Sequence, residues 1–409
     1  MDDALRVLHF ADLHLGVANY GPVDPQSGLG ARAQDFLARL DDLVDLAREH
    51  DVDLTVFAGD AFHSRSPNPT LQREFARRVQ AFARQAPLLL LTGRHDLPLQ
   101  PRRAGSLEIY STLAVPGVQV CNACELRQID TRRGPLAVTT APWPQRARLL
   151  PEARGTLSTA ELSEALAARL KALAAEADRL DMPRLLVAHV AVDGAQPGSE
   201  AGFIPGDAPA VPLDVLADPR QDHVALGYHH RHQDLTEGRA DLPAVVSSGA
   251  LERLDFSEED APRGACLIEL ARGATRWRFL PLAARPLRSL ELDLRDSAAP
   301  AATLPQALAG ESLEGVILRL LLQLSADNEA ALDADALHEA LRQAGVWHLA
   351  GLQREVERPR RRRLSGVEGL EPLTLLQHYL TSRDTPPQRQ EALLDAAAGL
   401  LRDVEADSH

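Results

Sequence analysis

Cysteine and lysine are scarce in this chain of 409 residues, and long apolar runs are missing. Three cysteines cannot build a disulfide framework, so the composition favours a reducing compartment. No apolar run reaches the roughly 20 residues that a membrane-spanning helix requires. The start of the chain, Met1-Asp2-Asp3, is acidic where a secretory signal would be basic. We therefore expect a cytoplasmic protein with no membrane association.

Positive charge is also in deficit, with 44 Lys and Arg against 58 Asp and Glu and a formal net charge of −14. This balance argues against a general nucleic-acid coat, because neutralising phosphates requires clustered basic side chains. It does not exclude a nuclease, since carboxylates can hold divalent cations that in turn attract phosphate. The content of 45% hydrophobic and 25% charged residues is that of a folded protein, and the length indicates more than one domain.

Short apolar runs alternate with helical patterns over the first 230 residues, which predicts an α/β fold built from crossover units. We predict strands at 5–11, 54–58, 88–92, 185–188 and 223–226, and helices at 31–50, 70–85 and 159–180. Ser158 and Glu161 form a capping box for the last of these helices. Glycine and proline crowd the segment 194–212, which predicts a surface loop or an irregular hairpin beside the functional edge of the sheet.

The pattern changes after residue 281. Strand-like segments at 289–294 and 316–323 precede a helix near 333–344, which predicts a small α+β unit. A basic run covers 358–363, and the chain is mostly helical from 372 onwards. We therefore divide the chain into a main domain at 1–285, a second domain at 286–365 and a helical segment at 366–409.

Each of the five predicted strands ends in side chains that can bind a metal ion. They are Asp12 and His14 after the first strand, Asp60 after the second, His95 and Asp96 after the third, His189 after the fourth, and His229 and His230 after the fifth. Ligands of open α/β sheets bind at the carboxyl ends of strands, so these groups can converge. A buried histidine or a Gly-Asp turn is common for structural reasons, but five such groups at one relative position favour a metal site.

Mixed carboxylate and imidazole ligands suit manganese, zinc or iron. A carboxylate such as Asp60 can bridge two cations, and a cation pair stabilises both oxygens of an in-line displacement at phosphorus. His95 is the candidate proton donor for the leaving oxygen. Asp96 would orient the His95 ring and raise its basicity.

The order of these motifs resembles that of the calcineurin-like metallophosphoesterases and, more closely, that of the SbcD-type DNA repair nucleases. The stretches that carry the closer resemblance are 11–16, 58–63, 67–70, 225–227 and 247–256. The resemblance is specific over residues 5–285 and looser over the remainder. It implies a sandwich of two facing sheets with flanking helices, followed by a small α+β DNA-capping domain and C-terminal helices.

The same resemblance implies a manganese-dependent DNA exonuclease or endonuclease subunit of an SbcCD-like complex that processes double-strand breaks. The implied partners are DNA, an SbcC-like SMC-family ATPase, and a second copy of the chain within a heterotetramer. Apolar spacing near the C-terminus would suit docking against the ATPase, although packing on the body of the protein explains it equally well. These residues are Leu373, Leu376, Tyr379, Leu380, Leu393, Leu394, Leu400 and Leu401.

The resemblance also assigns ligands by position. A first metal site would use Asp12, His14, Asp60 and His230. A second would use Asp60, residue 94, His189 and residue 228. The family would place asparagine at 94 and histidine at 228, but this chain has Arg94 and Tyr228. A guanidinium has no acceptor, and a tyrosine ligates only as phenolate, against an ordinary pKa of about 10.

Three interpretations of this departure remain open. Arg94 could replace the second cation and clamp the scissile phosphate in an enzyme that uses one metal. Alternatively, the protein could bind one metal and serve as a catalytically weak scaffold that holds DNA. In the third, a shifted register lets His229 or His232 supply the missing nitrogen. His63, near the same edge, is a further candidate for substrate contact, and a phosphodiesterase for small nucleotides is a further possible function.

Overall fold

The computed structural model describes residues 4–98, 100, 103–149, 158–196, 198–202, 208–332, 334–357, 370–383 and 385–406. The strands in chain order are β1 (Leu5–Phe10), β2 (Leu54–Phe57), β3 (Leu88–Leu91), β4 (Val118–Cys121), β5 (Glu125–Thr131), β6 (Gly134–Ala141), β7 (Arg184–His189), β8 (Ala191–Val192), β9 (Ala210–Val211), β10 (His223–Gly227), β11 (Gln233–Asp234), β12 (Val245–Ser247), β13 (Gly264–Leu270), β14 (Arg276–Pro281), β15 (Leu287–Asp293), β16 (Ile317–Ser325) and β17 (His348–Glu357).

The helices, in the same order, are α1 (Ala31–Glu49), α2 (Pro69–Ala83), α3 (Glu108–Thr112), α4 (Arg146–Leu149), α5 (Thr159–Ala177), α6 (Leu213–Leu216), α7 (Pro300–Ala309), α8 (Ala326–Ala331), α9 (Ala334–Gln343), α10 (Pro372–Ser382) and α11 (Pro387–Ala406). Short 3-10 turns lie at Ser199–Gly202 and Phe256–Glu258.

Two mixed sheets of six strands form the main body. The first has the order β14-β13-β1-β2-β3-β4, and the second has the order β11-β12-β10-β7-β6-β5. Strands β1 to β4 are parallel, as are β6, β7, β10 and β12, whereas β5, β11, β13 and β14 pair antiparallel with their neighbours. Parallel strands place their carboxyl ends at one edge, which is where the predicted ligands lie.

The two sheets face each other across a shared apolar core. Side chains from β1, β2 and β3 pack there against side chains from β6, β7 and β10, and both sets are fully buried. The strands β2 and β3 read LTVF and LLLL and are buried along their whole length, as strands covered on both faces should be. The predicted sandwich of two facing sheets with flanking helices is confirmed.

Helices cover the outer face of each sheet. The apolar stripe of α1, with Phe36, Leu40 and Leu43 buried, packs on the first sheet together with α2. Helix α2 starts where Asn68 accepts a hydrogen bond from the Leu71 N–H and a proline follows at the first helical position. Helix α5 covers the second sheet and begins with the predicted capping box of Ser158 and Glu161.

A third, parallel sheet follows the main body, with the order β15-β16-β17 and its own core against α7, α8 and α9. This is the α+β arrangement predicted after residue 281. Arg285 links the two parts, because its guanidinium makes two hydrogen bonds of 2.6 Å to Asp35 in α1 and lies 4.1 Å from the ring centre of Trp347.

Several elements were not predicted from the sequence, and the longer strands among them are β4, β5, β6, β13, β14 and β17. Within 194–212, predicted as a loop or an irregular hairpin, the structure has the turn Ser199–Gly202 and the strand β9, which pairs parallel with β8. Residue 197 and residues 203–207 of that segment lie outside the described residues, as does the basic run 358–363. Among the residues described, no helix is long and apolar enough to span a bilayer.

Candidate active site

The loops that follow β1, β2, β3, β7 and β10 bring the predicted ligands to one edge of the sandwich. A small cavity of about 30 Å³ lies there. Its lining is His14, Asp60, His63, Arg94, His95, Glu200, Tyr228, His230 and Leu254. Asp12 and His189 lie fully buried next to it. Side chains that are more than 200 residues apart in sequence therefore meet at this edge.

The backbone at several ligand positions adopts the left-handed conformation. The φ angles are 52° at Asp12, 46° at His14, 60° at Asp60 and 81° at Tyr228. Such values are uncommon outside glycine and are found at functional sites, where the surrounding structure holds the strain. Gly59, with φ of 103°, is required because a Cβ there would lie 2.3 Å from His189 Nδ1. The strand ends are thus shaped to turn these side chains together.

The first ligand group contains Asp12, His14 and His230, with candidate ligand atoms within 4.8 Å of one another. The Nε2 atoms of His14 and His230 are 3.0 Å apart, and His14 Nε2 lies 3.7 Å from Asp60 Oδ2. Two ligands at right angles, each about 2.1 Å from one ion, would be about 3 Å apart. Burial lowers the pKa of His14 well below its ordinary value, so the ring is in the neutral form that ligation requires.

Partners behind His230 fix the orientation of its ring. The Nδ1 atom lies 2.7 Å from Ser199 Oγ and 3.1 Å from Glu258 Oε1, and Glu258 is itself paired with Arg263 at 2.8 Å. Donation from Nδ1 leaves Nε2 of the neutral ring as an acceptor directed toward His14. A carboxylate behind a histidine in this way is the usual support of a metal ligand.

The second ligand group contains Asp12, Asp60 and His189. His189 Nδ1 donates to the Ala58 carbonyl at 2.7 Å, so Nε2 of the neutral ring carries a lone pair. That atom is buried without a hydrogen-bond partner and lies 3.5 Å from Asp60 Oδ2. Two acceptors face each other, which requires a proton or a cation between them.

Electrostatics point the same way. Although burial opposes it, the charges of Asp60 and then Asp12 raise the pKa of His189 to about 9. Burial, opposed by His189 and His230, raises the pKa of Asp12 to about 7. Although burial opposes this too, His189 and His14 lower the pKa of Asp60. These buried carboxylates and imidazoles shift one another's pKa values toward the charged forms. A donor set of this kind fits a divalent cation.

The altered ligand positions lie at the same cavity. The guanidinium carbon of Arg94 is 5.6 Å from the ring centre of Trp143, and Trp143 stacks on Tyr228 with ring centres 5.2 Å apart. Burial raises the pKa of Tyr228 further above 10, with Arg94 opposing the shift. The phenol therefore keeps its proton at neutral pH. Neither Arg94 nor Tyr228 fits the place of a second-ion ligand.

His95 lines the cavity. Asp96 was predicted to orient the His95 ring, but the structure gives the Asp96 carboxylate other partners. His95 Nδ1 is 2.7 Å from the His63 carbonyl, which orients the ring. The Asp96 carboxylate is fully buried and accepts the backbone N–H groups of Asp60, Ala61 and Gly93 at 2.8, 3.0 and 2.9 Å. The acidic side chain next in sequence faces the other way and holds the ends of β2 and β3 together.

The histidines offered as replacement ligands have other partners. His229 Nε2 accepts the Val192 N–H at 3.1 Å, and its Nδ1 lies 3.4 Å from Glu200. His232 Nδ1 lies 2.8 Å from the Ser247 carbonyl, and the ring stacks on Phe279. A shifted register, in which either ring replaces the missing nitrogen, gains no support from these contacts.

Four side chains at the site were missed from the sequence. Ser199 and Glu258 support His230, Glu200 lines the cavity, and Trp143 contacts both altered positions. Ser199 and Glu200 lie in the segment predicted as a surface loop or an irregular hairpin, and Glu258 lies in a polar turn. The Gly and Pro content of 194–212 gave the only available signal, since it marked that segment as lying beside the functional edge.

The fold and this site define a metal-dependent phosphoesterase of the calcineurin-like type, and the family model described as calcineurin-like phosphoesterase matches residues 5–136. A relative from Rhodobacter capsulatus, named as the SbcD component of the nuclease SbcCD, is 31% identical over 84% of this chain and 87% of its own length. The chain belongs to this SbcD family of nuclease components.

Two further relatives are more distant. The SbcD component of the nuclease SbcCD from Bacillus subtilis is 26% identical over 69% of this chain and 71% of its own length. The DNA double-strand break repair protein Mre11 of Haloferax volcanii is 28% identical over 71% of this chain and 55% of its own length. The similarity thus extends well beyond the residues that the family model matches.

Proposed function

We propose that this chain hydrolyses DNA phosphodiester bonds as the metal-dependent nuclease subunit of an SbcCD-like complex that processes double-strand breaks. One observation carries the proposal: Asp12, His14, Asp60 and His230 meet at one buried edge in a chain whose relatives are named as parts of a nuclease. The two sheets contribute different members of this set, so it exists only in the folded protein.

A divalent ion held by Asp12, His14, Asp60 and His230 would supply a Lewis acid and an activated hydroxide. We propose manganese, because the donors are carboxylates and imidazoles and include no thiolate. Asp60 is held in place by the His95 N–H, which donates to its Oδ1 at 2.7 Å. The buried position of Asp60, at 3% exposure, limits competition from water for the same oxygens.

We assign proton transfer to His95. Its Nδ1 is engaged with the His63 carbonyl, so Nε2 is the atom that would protonate the leaving oxygen of the cleaved strand. His63 then contributes through its backbone, and its exposed ring stands 5.8 Å from the His95 ring, where DNA would enter.

The partner ATPase would dock on the C-terminal helices α10 and α11, which pack against each other. Exposed apolar side chains on this pair include Leu375, Tyr379, Leu393 and Leu400. An SbcC-like SMC-family ATPase fits such a surface. The homodimer within a heterotetramer, the cytoplasmic location and the division at 285 and 365 stay predictions.

A second candidate function is that of a catalytically weak protein that holds DNA ends for the ATPase. The observation in its favour is the replacement of two second-site ligands by Arg94 and Tyr228, which lie in the cavity itself. A phosphodiesterase for small nucleotides is a third candidate. The additional sheet β15-β16-β17 speaks against that one, since a small substrate requires no such extra surface.

A nuclease assay with the full chain, alone and with an SbcC-type ATPase, separates these candidates. We expect Mn²⁺-dependent cleavage of duplex DNA that EDTA abolishes and that falls about 10²–10⁴-fold in His95→Ala. Cleavage that is absent, or that is unchanged in His95→Ala, would favour the scaffold. Faster turnover of a chromogenic phosphodiester than of duplex DNA would favour the small-nucleotide enzyme.

A further inference from the structure

Arg94 and Tyr228 both lie against the ring of Trp143 at one wall of the active-site cavity. The guanidinium carbon of Arg94 lies 5.6 Å from the Trp143 ring centre, and the rings of Trp143 and Tyr228 are inclined by 27°. Arg94 and Tyr228 line the cavity, whereas Trp143 lines the adjoining one together with Asn122 and Gln145. Trp143 thus supports the two cavity residues from behind.

A second basic side chain strengthens the positive charge at this wall. Arg65, whose Nε donates to the Leu97 carbonyl at 3.0 Å, lies close enough to Arg94 for the two charges to interact. Burial and then Arg94 lower the pKa of Arg65 from its ordinary value. The negative charge of Asp60 opposes this lowering, so the two guanidinium groups lie near one carboxylate and together carry more positive charge than it offsets.

The chemistry of this wall suits a phosphate. A guanidinium presents several N–H donors in one plane, which match two oxygens of a phosphate, and it has no acceptor for a cation. A cation–π contact with an aromatic ring, here at 5.6 Å between Arg94 and Trp143, restrains the guanidinium and reduces the freedom lost on binding. Tyr228, as a neutral phenol, offers one further donor.

We propose that the pocket which the resemblance assigns to a second ion is, in this chain, a phosphate-binding subsite in which Arg94 contacts a non-bridging oxygen of the substrate. Trp143 is a positioning residue that holds Arg94, and Arg65 supplies additional charge. This inference rests on the proposed function, since it concerns the same substrate. It explains Arg94 and Tyr228 together, as the replacement of a cation site by a phosphate site.

The test is binding of the dinucleotide thymidylyl-thymidine, which contains a single phosphodiester, compared with its uncharged methylphosphonate analogue. Phosphorus NMR titrations are made in EDTA, so that neither turnover nor a bound ion contributes to the signal. We expect the wild-type chain to prefer the phosphodiester by about tenfold. The preference should fall to about one in Arg94→Asn and to an intermediate value in Arg94→Lys.

Two further variants test the role of Trp143. Trp143→Phe keeps an aromatic face for the guanidinium, so it should keep most of the preference, whereas Trp143→Ala should lose most of it. A loss of fold is recognised by circular dichroism, and rescue by phenylalanine separates positioning from mere destabilisation. Equal preference in the wild type, Arg94→Asn and Trp143→Ala would overturn the inference.

The result is separable from the proposed function. If the preference depends on Arg94 but no Mn²⁺-dependent DNA cleavage occurs, the subsite stands and the nuclease proposal fails. If His95-dependent cleavage occurs while Arg94→Asn leaves the preference intact, the nuclease proposal stands and the subsite is wrong.

Discussion

The two sides of the active-site cavity differ in chemistry although they share one backbone design. On one side Asp12, His14 and His230 present acceptor atoms that can hold a cation. On the other, Arg94 and Tyr228 present donors that cannot. Yet Tyr228 has the same left-handed backbone as Asp12 and His14, with φ of 81°. Residue 228 therefore has the backbone conformation of a ligand position, although its side chain cannot bind the cation.

This difference teaches that backbone geometry and metal chemistry are separate properties of a site. An aromatic residue gains nothing intrinsic from a positive φ, so the surrounding structure must impose it. Gly227, just before, explains part of this, because a Cβ there would lie 2.1 Å from the Ala58 carbonyl. The close approach of the two sheets fixes the turn, and the side chain that follows is free to change.

The largest effect is expected from a change on the ligand side. Asp60→Asn keeps an oxygen that can accept the His95 N–H but removes the charge that lies 3.7 Å from His14 Nε2 and 3.5 Å from His189 Nε2. Since supporting partners of metal ligands alone change affinity about 10–100-fold, Mn²⁺ affinity and nuclease rate should fall by at least about 100-fold.

Electron paramagnetic resonance of free Mn²⁺ measures the affinity directly. Asp130→Asn, an exposed carboxylate on β5, is the matched control and should leave both quantities unchanged. Wild-type Mn²⁺ affinity in Asp60→Asn would contradict the assignment of this side of the cavity.

A smaller loss is expected when the support of a ligand is changed. Glu258→Gln removes the charge behind His230, whose Nδ1 lies 3.1 Å away, so Mn²⁺ affinity should weaken about 10–100-fold. Glu269→Gln, an exposed position on β13, is the control. Because Glu258 also pairs with buried Arg263, Ser199→Ala serves as a second variant and should weaken affinity in the same direction. Unchanged affinity in both variants would mean that this support is dispensable.

The altered side can be tested by restoring what the family would have there. Arg94→Asn with Tyr228→His should raise the number of Mn²⁺ ions per chain from about one to two, because Asp60 and His189 are already in place. Elemental analysis gives the count, and spin coupling between the ions shows that they are neighbours. Two tightly held ions in the unchanged chain would remove the contrast between the two sides.

The sequence predicted the fold well where burial produces continuous apolar runs. Strands β2 and β3 are such runs, and their ends carry Asp60 and Arg94 as expected. The hairpin of β5 and β6 was missed, because β5 is mostly polar, with Ile129 as its one buried residue, and resembles a loop in composition. Strand β17 was missed for the same reason, as it forms an edge of its sheet.

The site was predictable where residues follow a strand and unpredictable where they do not. Asp12, His14 and Asp60 stand directly after apolar strands, so one sheet edge was enough to group them. Trp143 lies between two prolines and Glu258 lies in a polar turn, and nothing in their spacing shows which side chain they contact. Asp96 shows the opposite error: adjacency to His95 suggested a partner, but successive side chains in this turn face different directions.

The smallest effect is expected on thermal stability. A ligand that binds only the folded chain at about 100 times its Kd stabilises it by about 2.7 kcal/mol, so Mn²⁺ should raise the Tm by several degrees relative to EDTA. Asp60→Asn should show almost none of this increase. Arg94→Asn with Tyr228→His should show more than the wild type, because each added site contributes its own logarithmic term. Differential scanning fluorimetry over a series of Mn²⁺ concentrations measures the Tm. An equal rise in Tm in all three chains would place the bound ion away from this cavity.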